Sequence, residues 1–154
     1  MNRRLEISVS LAVVTIDQLS KALVRAAVPV DTSRSIVPGV LELTHVRNTG
    51  IAFDILNSVD FAFKPVVLAA VPAVALIGIA IYAAGTAHDR LAARIALALI
   101  IGGAIGNLID RVTFGSVTDF VHVYWRSIDF WVFNVADSAI SIGGIALLFN
   151  SLVQ

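Results

Sequence analysis

The chain has 154 residues, no cysteine and a formal net charge of zero, from 11 basic and 11 acidic side chains. Hydrophobic residues make up 58% and charged residues 14%, whereas a soluble domain has roughly 45–50% apolar and about 25% charged residues. A soluble fold of this size cannot hide so much apolar surface, and this composition also excludes intrinsic disorder. Without cysteine the chain has no disulfides, thiol nucleophile or cysteine metal site, and its balanced charge predicts no nucleic-acid partner.

Four apolar stretches predict an all-α membrane protein with four transmembrane helices. The second stretch has no charged residue in 20 residues, enough for a helix rising ~1.5 Å per residue to cross about 30 Å of hydrocarbon. We expect a single integral membrane domain over residues 1–154. The predicted spans are approximately residues 5–28, 65–84, 91–109 and 132–153.

The first stretch could be read as a cleaved signal peptide, because Arg3 and Arg4 precede its apolar run. However, Asp17, Lys21 and Arg25 lie between that run and any small-residue cleavage site. A signal peptide should be neutral there. The sequence therefore favours a retained helix.

The segment at residues 29–64 predicts a small extracytoplasmic β-sheet element beside the membrane. Residues 41–46 alternate apolar and polar side chains, which is typical of a half-buried strand. We place this segment outside the cell because the short segments 1–4 and 85–94 carry a higher density of arginine, and basic residues favour the cytoplasmic side. Both termini are then cytoplasmic.

The charged residues near or within the spans need partners or a function, because a charge at the bilayer centre costs roughly 2.5–3.5 kcal/mol. Asp17 and Lys21 are four residues apart on one helix face, so we favour an intramembrane ion pair. A contact between Lys21 and a lipid headgroup is the alternative. Membrane lipids are expected partners in either case.

The end of the third span carries a second polar group on one helix face. Asn107, Asp110 and Arg111 follow at spacings of three and four residues. Asp110 and Arg111 could form a buried pair that fixes the helix end, or Asp110 could be catalytic, and the sequence leaves both open. Gly102 and Gly106 precede them at the spacing that lets another helix approach closely.

The fourth span begins with a polar stripe that includes Asn134 and Asp137. Asn134 is a good candidate for the N-cap, and that structural interpretation is weaker for Asp137, which lies about one turn further on. Asp119 alone is an ordinary loop acid. Two carboxylates at one site share a proton, so Asp119 beside Asp137 would form a pair for acid and base catalysis of peptide hydrolysis.

Other chemistries are weakly supported. His45, His88 and His122 are scattered and no H-E-x-x-H run exists, so we expect no zinc site, and the sequence indicates no other metal or cofactor. The serines lack a G-x-S-x-G elbow. A non-enzymatic alternative is a small carrier or proton-coupled channel that uses intramembrane acids as a relay. Its residues would be Asp17, Lys21, Asp110 and Asp137.

Five motifs occur in an order that resembles the prolipoprotein signal peptidase family, also called signal peptidase II, and the resemblance covers nearly the whole chain. They are Asp17-Gln18-x-x-Lys21, Arg47-Asn48-Thr49-Gly50-x-Ala52-Phe53, Gly103-x-x-Gly106-Asn107-x-x-Asp110-Arg111, Val117-x-Asp119-Phe120 and Phe133-Asn134-x-Ala136-Asp137-Ser138.

The resemblance implies an aspartyl endopeptidase of the bacterial inner membrane that removes signal peptides from prolipoproteins. It implies cleavage N-terminal to a cysteine that carries a diacylglyceryl group, with the active site near the outer face. Asp119 and Asp137 would form the catalytic dyad. The implied supporting residues are Asn107, Asp110, Arg111 and Asn134, and the implied substrate-binding residues are Asp17, Lys21, Asn48 and Gly50.

Overall fold

The computed structural model describes residues 3–50, 63–86, 90–126 and 128–152. Motif residues Ala52 and Phe53, together with His88 and Val153, lie outside these ranges. The described part of the chain contains four helices long and apolar enough to cross a membrane. They are α1 (Arg3–Ala27), α2 (Lys64–Gly85), α3 (Leu91–Phe114) and α4 (Val135–Leu152).

The helix boundaries differ from the predicted spans at the end nearest the sheet. Helix α3 continues to Phe114, where Gly115 ends it in the left-handed conformation with φ 70°. Helix α4 begins only at Val135. Hydropathy missed both limits because α3 ends with polar residues, whereas the aromatic residues before α4 are apolar without being helical.

An antiparallel sheet lies at one end of the helices and confirms the predicted β element. Its strands follow the order β1 (Ser33–Val37), β2 (Leu41–Asn48), β3 (Val117–Trp125) and β4 (Ile128–Asp129). The fourth strand pairs with the end of β3, where Tyr124 lies opposite Asp129 and Trp125 opposite Ile128. Asp119 also lies in a strand rather than in a loop, because Val46 of β2 pairs with it.

Helix α3 is the centre of the helical packing, since it contacts each of the other three helices. Its glycines allow the close approach. A Cβ at Gly102 would lie 2.8 Å from the Ser10 carbonyl oxygen of α1, and a Cβ at Gly103 would overlap the Ala136 carbonyl oxygen of α4. The predicted close approach at Gly102 and Gly106 is confirmed, since a Cβ at Gly106 would lie 2.5 Å from Asp17 Oδ2 of α1.

The opposite end of the bundle is joined by a partly buried ion pair. Arg94 in the first turn of α3 is 5% exposed and donates to both carboxylate oxygens of Glu6 in α1, at 2.6 and 2.7 Å. It also donates to the carbonyl of Thr86, just after α2. Arg94 is therefore part of the helix packing. It is not a free loop charge, so it gives no support to a cytoplasmic location of the 85–94 segment.

Residues after β3 bring the chain back to the sheet before α4 begins. The backbone amides of Phe120 and Val121 donate to the carbonyl of Phe133, whose own amide donates to Val121. Successive strand side chains point to opposite faces. Phe120 packs against Val24 and Val28 at the end of α1, so Asp119 points the other way, toward the start of α4.

Replacing Gly103 with alanine should destabilise the fold, because the new Cβ has no space against α4. We expect Gly103→Ala to lower the free energy of unfolding by about 1–3 kcal/mol. Gly78→Ala is the matched control, since no described residue lies within 4 Å of its added Cβ, and it should be neutral or stabilise by up to about 1 kcal/mol. Thermal unfolding in detergent micelles measures both. Equal melting temperatures for the two variants would contradict the packing argument.

Candidate active site

Asp119 and Asp137 interact electrostatically at the junction of the sheet and α4, and two asparagines connect them. Asn134 donates from Nδ2 to Asp119 Oδ1 at 2.6 Å, and Asn107 donates from Nδ2 to Asp137 Oδ1 at 2.8 Å. The same Nδ2 of Asn134 lies 3.2 Å from Asn107 Oδ1. Both carboxylates are thus held by amide donors in one continuous network.

Asn134 and Asp137 form a capping box at the start of α4. Asn134 Oδ1 accepts the backbone amide of Asp137 at 2.9 Å, and Asp137 Oδ2 accepts the backbone amide of Asn134 at 3.2 Å. Asn134 is therefore the N-cap, as the sequence predicted, and Asp137 is the third helical residue. The sequence favoured a capping role less for Asp137 than for Asn134, but Asp137 also caps the helix. This carboxylate therefore stabilises the start of α4 as well as interacting with Asp119.

The carboxyl of Asp119 is 3% exposed and is held from a second side by Asn48, whose Nδ2 donates to Oδ2 at 2.9 Å. Burial raises the pKa of Asp119 to about 6, and the charge of Asp137 adds to the rise, while the hydrogen bonds from Asn48 and Asn134 oppose it. Asn48 Oδ1 in turn accepts the backbone amide of Gly50. The end of β2 thus borders the acid pair.

Beneath this pair lies a buried charge cluster supplied by α1 and α3. Lys21 Nζ is 2.8 Å from Asp17 Oδ2 and 3.8 Å from Asp110 Oδ2, and these three side chains have no exposed surface. The predicted Asp17–Lys21 ion pair is confirmed. Complete burial is incompatible with a Lys21 headgroup contact, and it leaves neither Asp17 nor Lys21 a surface that a substrate could touch in this conformation.

Asp110 is a structural anchor between three elements. Its Oδ2 accepts the backbone amide of Thr118 in β3 at 2.9 Å, and Arg25 of α1 lies 3.5 Å from its Oδ1. Thr118 directly precedes Asp119, so Asp110 fixes the strand that carries Asp119. The direct partners of Asp110 therefore come from α1 and β3. The pair with the adjacent Arg111 that the sequence left open is not among these contacts.

Arg111 lies on the same face of α3 as Asn107, one turn further along. Its guanidinium is within electrostatic range of Asp137, Asp119 and Asp110. Its Nε is buried and has no hydrogen-bond partner among residues 3–50, 63–86, 90–126 and 128–152. Arg111 therefore supplies positive charge to the side of the acid pair.

Sequence reasoning gave no role to two members of the cluster. Gln18 donates to the Gly106 carbonyl of α3 at 3.0 Å, and Arg25 donates to the Thr118 hydroxyl at 3.1 Å. Arg25 could have been found from its spacing, because it continues the four-residue series of Asp17 and Lys21 on one helix face. Gln18 is part of the first of the five motifs, but its spacing indicated no partner, since its role depends on a backbone carbonyl of another helix.

The positions of these charged residues argue against the carrier alternative. The proposed relay residues cluster at the sheet end of the bundle, and Asp17, Lys21 and Asp110 are sealed from solvent. A conducting relay needs groups distributed across the membrane. Asp17, Lys21 and Asp110 instead pack behind Asp119 and Asp137 and hold the elements that carry them.

Comparison with known proteins shows to which family this chain belongs. The model of the family described as Signal peptidase (SPase) II matches residues 9–153. The chain belongs to the signal peptidase II family. The resemblance read from the five motifs is thereby confirmed. Membership makes the protein a peptidase, and with its four apolar helices it is a multi-pass bacterial membrane protein.

Relatives and solved structures agree with this family over nearly the full length. A lipoprotein signal peptidase of Geobacter metallireducens is 40% identical over 153 residues, covering 99% of this chain and 93% of the relative. One of Halalkalibacterium halodurans is 41% identical over 147 residues, covering 95% and 90%. A bacterial membrane enzyme solved by the in meso method at 2.3 Å resolution superposes with a TM-score of 0.85 at 31% identity, covering 96% of this chain and 87% of that one.

The raised pKa of Asp119 predicts a specific pH dependence of stability. Between pH values of about 4 and 6 the folded chain retains a proton that the unfolded chain releases, so stability should fall as the pH rises through this window. Asp119→Asn should remove that loss and raise stability at pH 7 by about 1–3 kcal/mol, with no gain at pH 4.

The measurement is thermal unfolding in micelles from pH 4 to pH 8. Asp31→Asn is the control, because Asp31 is exposed and has a positive φ of 58° that asparagine also tolerates. A pH dependence that survives in Asp119→Asn would show that another group is responsible.

Proposed function

We propose that this peptidase is an intramembrane aspartyl endopeptidase that removes the signal peptide from diacylglyceryl-modified bacterial prolipoproteins. Cleavage falls N-terminal to the lipidated cysteine. The observation that carries the mechanism is the pairing of Asp119 and Asp137 through Asn134 and Asn107. The substrate class is supported by the relatives that bear the name lipoprotein signal peptidase.

The dyad works with one proton shared between its two carboxyl groups. The ionised carboxylate accepts a proton from water, and the water oxygen bonds to the carbonyl carbon of the scissile peptide. The protonated carboxyl gives its proton to the carbonyl oxygen, which forms a gem-diol intermediate. The C–N bond then breaks as the carboxyl that took the proton from water passes it to the leaving nitrogen, and the other carboxylate takes a proton from a gem-diol hydroxyl, which restores the single shared proton. The raised pKa of Asp119 supports this scheme, because the carboxyl keeps its proton to a higher pH, closer to neutral, than an ordinary aspartate does.

The polar residues around the dyad have two roles in this proposal. Asn107, Asn134, Asp110 and Arg111 support the acids, as their contacts with Asp137, Asp119 and the start of β3 indicate. Asn48 and Gly50 lie on the substrate side, where the end of β2 offers extended backbone next to Asp119. An unwound substrate segment would bind there.

Orientation in the inner membrane follows from the same arrangement. We place both termini in the cytoplasm and the sheet, with the dyad, at the outer face. Arg3, Arg4 and Arg90 support this orientation because they lie at the opposite ends of the helices. All 154 residues then form one membrane domain, whose expected partners are prolipoproteins and lipids, without a cofactor, a metal or nucleic acid.

Single substitutions in the dyad test the mechanism. Asp119→Asn and Asp137→Asn should each reduce cleavage of a diacylglyceryl-modified precursor by about 10³-fold or more, because neither proton transfer can be replaced. Asp110→Asn should retain measurable activity if the protein folds, since Asp110 acts through β3. Gel-resolved cleavage by purified protein, with melting temperature as the folding control, measures all three. Full activity in either dyad variant would refute the assignment.

The absence of cysteine allows a direct test of orientation. Ser33→Cys in the exposed strand β1 should react with a membrane-impermeant maleimide added to intact cells. Ser151→Cys at the far end of α4 should react only after the membrane is opened. The reverse labelling pattern would invert the proposed topology, and activity of both variants serves as the control for folding.

A further inference from the structure

Lys21 is a fully buried cation that contacts the network holding the dyad without touching either acid directly. Its Nζ donates to Asn107 Oδ1 at 2.8 Å and pairs with Asp17 at 2.8 Å. Asn107 is 6% exposed and lies between Lys21 and Asp137, to which its Nδ2 donates. The side chain of Asn107 is therefore the connection between the buried charge cluster and the catalytic pair.

The orientation of the Asn107 amide matters because its two ends have opposite hydrogen-bonding character. An asparagine oxygen only accepts hydrogen bonds, and its nitrogen only donates them. In the observed orientation the nitrogen donates to the Asp137 carboxylate. A rotation of the amide by 180° would turn the oxygen toward that carboxylate, so Asp137 would lose a donor and face a repulsive lone pair.

Lys21 selects between these two orientations. An ammonium group has three donors and no acceptor, so it can bond only to the amide oxygen of Asn107. Asn134 Nδ2 lies 3.2 Å from the same oxygen, but its shorter bond of 2.6 Å is made to Asp119. Lys21 is thus the closer donor to Asn107 Oδ1, and the only one that carries a full charge among the described residues.

We propose that Lys21 is a positioning residue, which fixes the amide of Asn107 so that its nitrogen donates to Asp137. This inference rests on the proposed function, because it gives Lys21 a role only if Asp137 is catalytic. It differs from the substrate-binding role that the family resemblance implied. Asp17 contributes to the same positioning. Its Oδ2 balances the Lys21 charge, and its Oδ1 accepts the backbone amide of Ala136 in the first turn of α4.

A pair of double variants separates the donor of Lys21 from its charge. Asp17→Asn/Lys21→Gln removes both charges, but the glutamine amide can still donate to Asn107. Asp17→Asn/Lys21→Met removes both charges and the donor, with a side chain of similar length. In both variants the asparagine at position 17 keeps an oxygen for the amide of Ala136. Asp17→Asn/Lys21→Leu replaces the methionine variant if that one does not fold.

We expect kcat of the methionine variant to be about 10- to 100-fold below that of the glutamine variant, because Asp137 loses an oriented donor. KM and the melting temperature should be similar for the two. On an Asn107→Ser background the two replacements at position 21 should give equal kcat, because the amide whose orientation they control is gone.

A purely structural role for Lys21 would give equal kcat per folded enzyme in the two variants, and that result would overturn the inference. So would a difference confined to KM, or one that persists on the Asn107→Ser background. Activity in Asp137→Asn would instead refute the proposed function itself. Cleavage of the diacylglyceryl-modified precursor, normalised to the folded fraction from size-exclusion chromatography, distinguishes these outcomes.

Discussion

The burial of the Lys21 charge between α1 and α3 is the constraint on which the rest of the site depends. A charge without water must be surrounded by partners, because its desolvation costs several kcal/mol. Asp17, Asp110 and Asn107 provide these partners at distances of 2.8 to 3.8 Å. The approach that this demands is possible because Gly106 has no side chain, since a Cβ there would lie 2.5 Å from Asp17 Oδ2.

From this cluster, rigid contacts extend to each element that carries a catalytic acid. Asp17 binds the amide of Ala136 at the start of α4, and Asp110 binds the amide of Thr118 at the start of β3. The two proposed catalytic acids follow these residues by one position each. A buried carboxylate on a backbone amide is a short, directional connection, so the separation of Asp119 and Asp137 is set by the helix packing below them.

The capping box at α4 gives Asp137 a structural task in addition to its proposed chemical one. Its Oδ2 stabilises the helix start through the Asn134 amide, and its Oδ1 accepts from Asn107. Asn134 likewise caps α4 through Oδ1 while Nδ2 binds Asp119. Because each of these side chains serves two partners, the site is preorganised: the acids need no rearrangement to meet their hydrogen-bond donors.

The sequence by itself determined the four apolar helices, the Asp17–Lys21 pair, the glycine spacing on α3 and the family, because these depend on local hydropathy, on spacing along one helix or on short motifs. Only the tertiary structure decided that Asp110 anchors β3, that Asp119 lies in a strand, and that Lys21 is sealed beneath Asn107. These facts depend on contacts between residues far apart in the chain: Lys21 and Asn107, for example, are separated by 86 positions. Helical periodicity indicates which face of a helix is polar, but the partner opposite that face is fixed only when the helices pack.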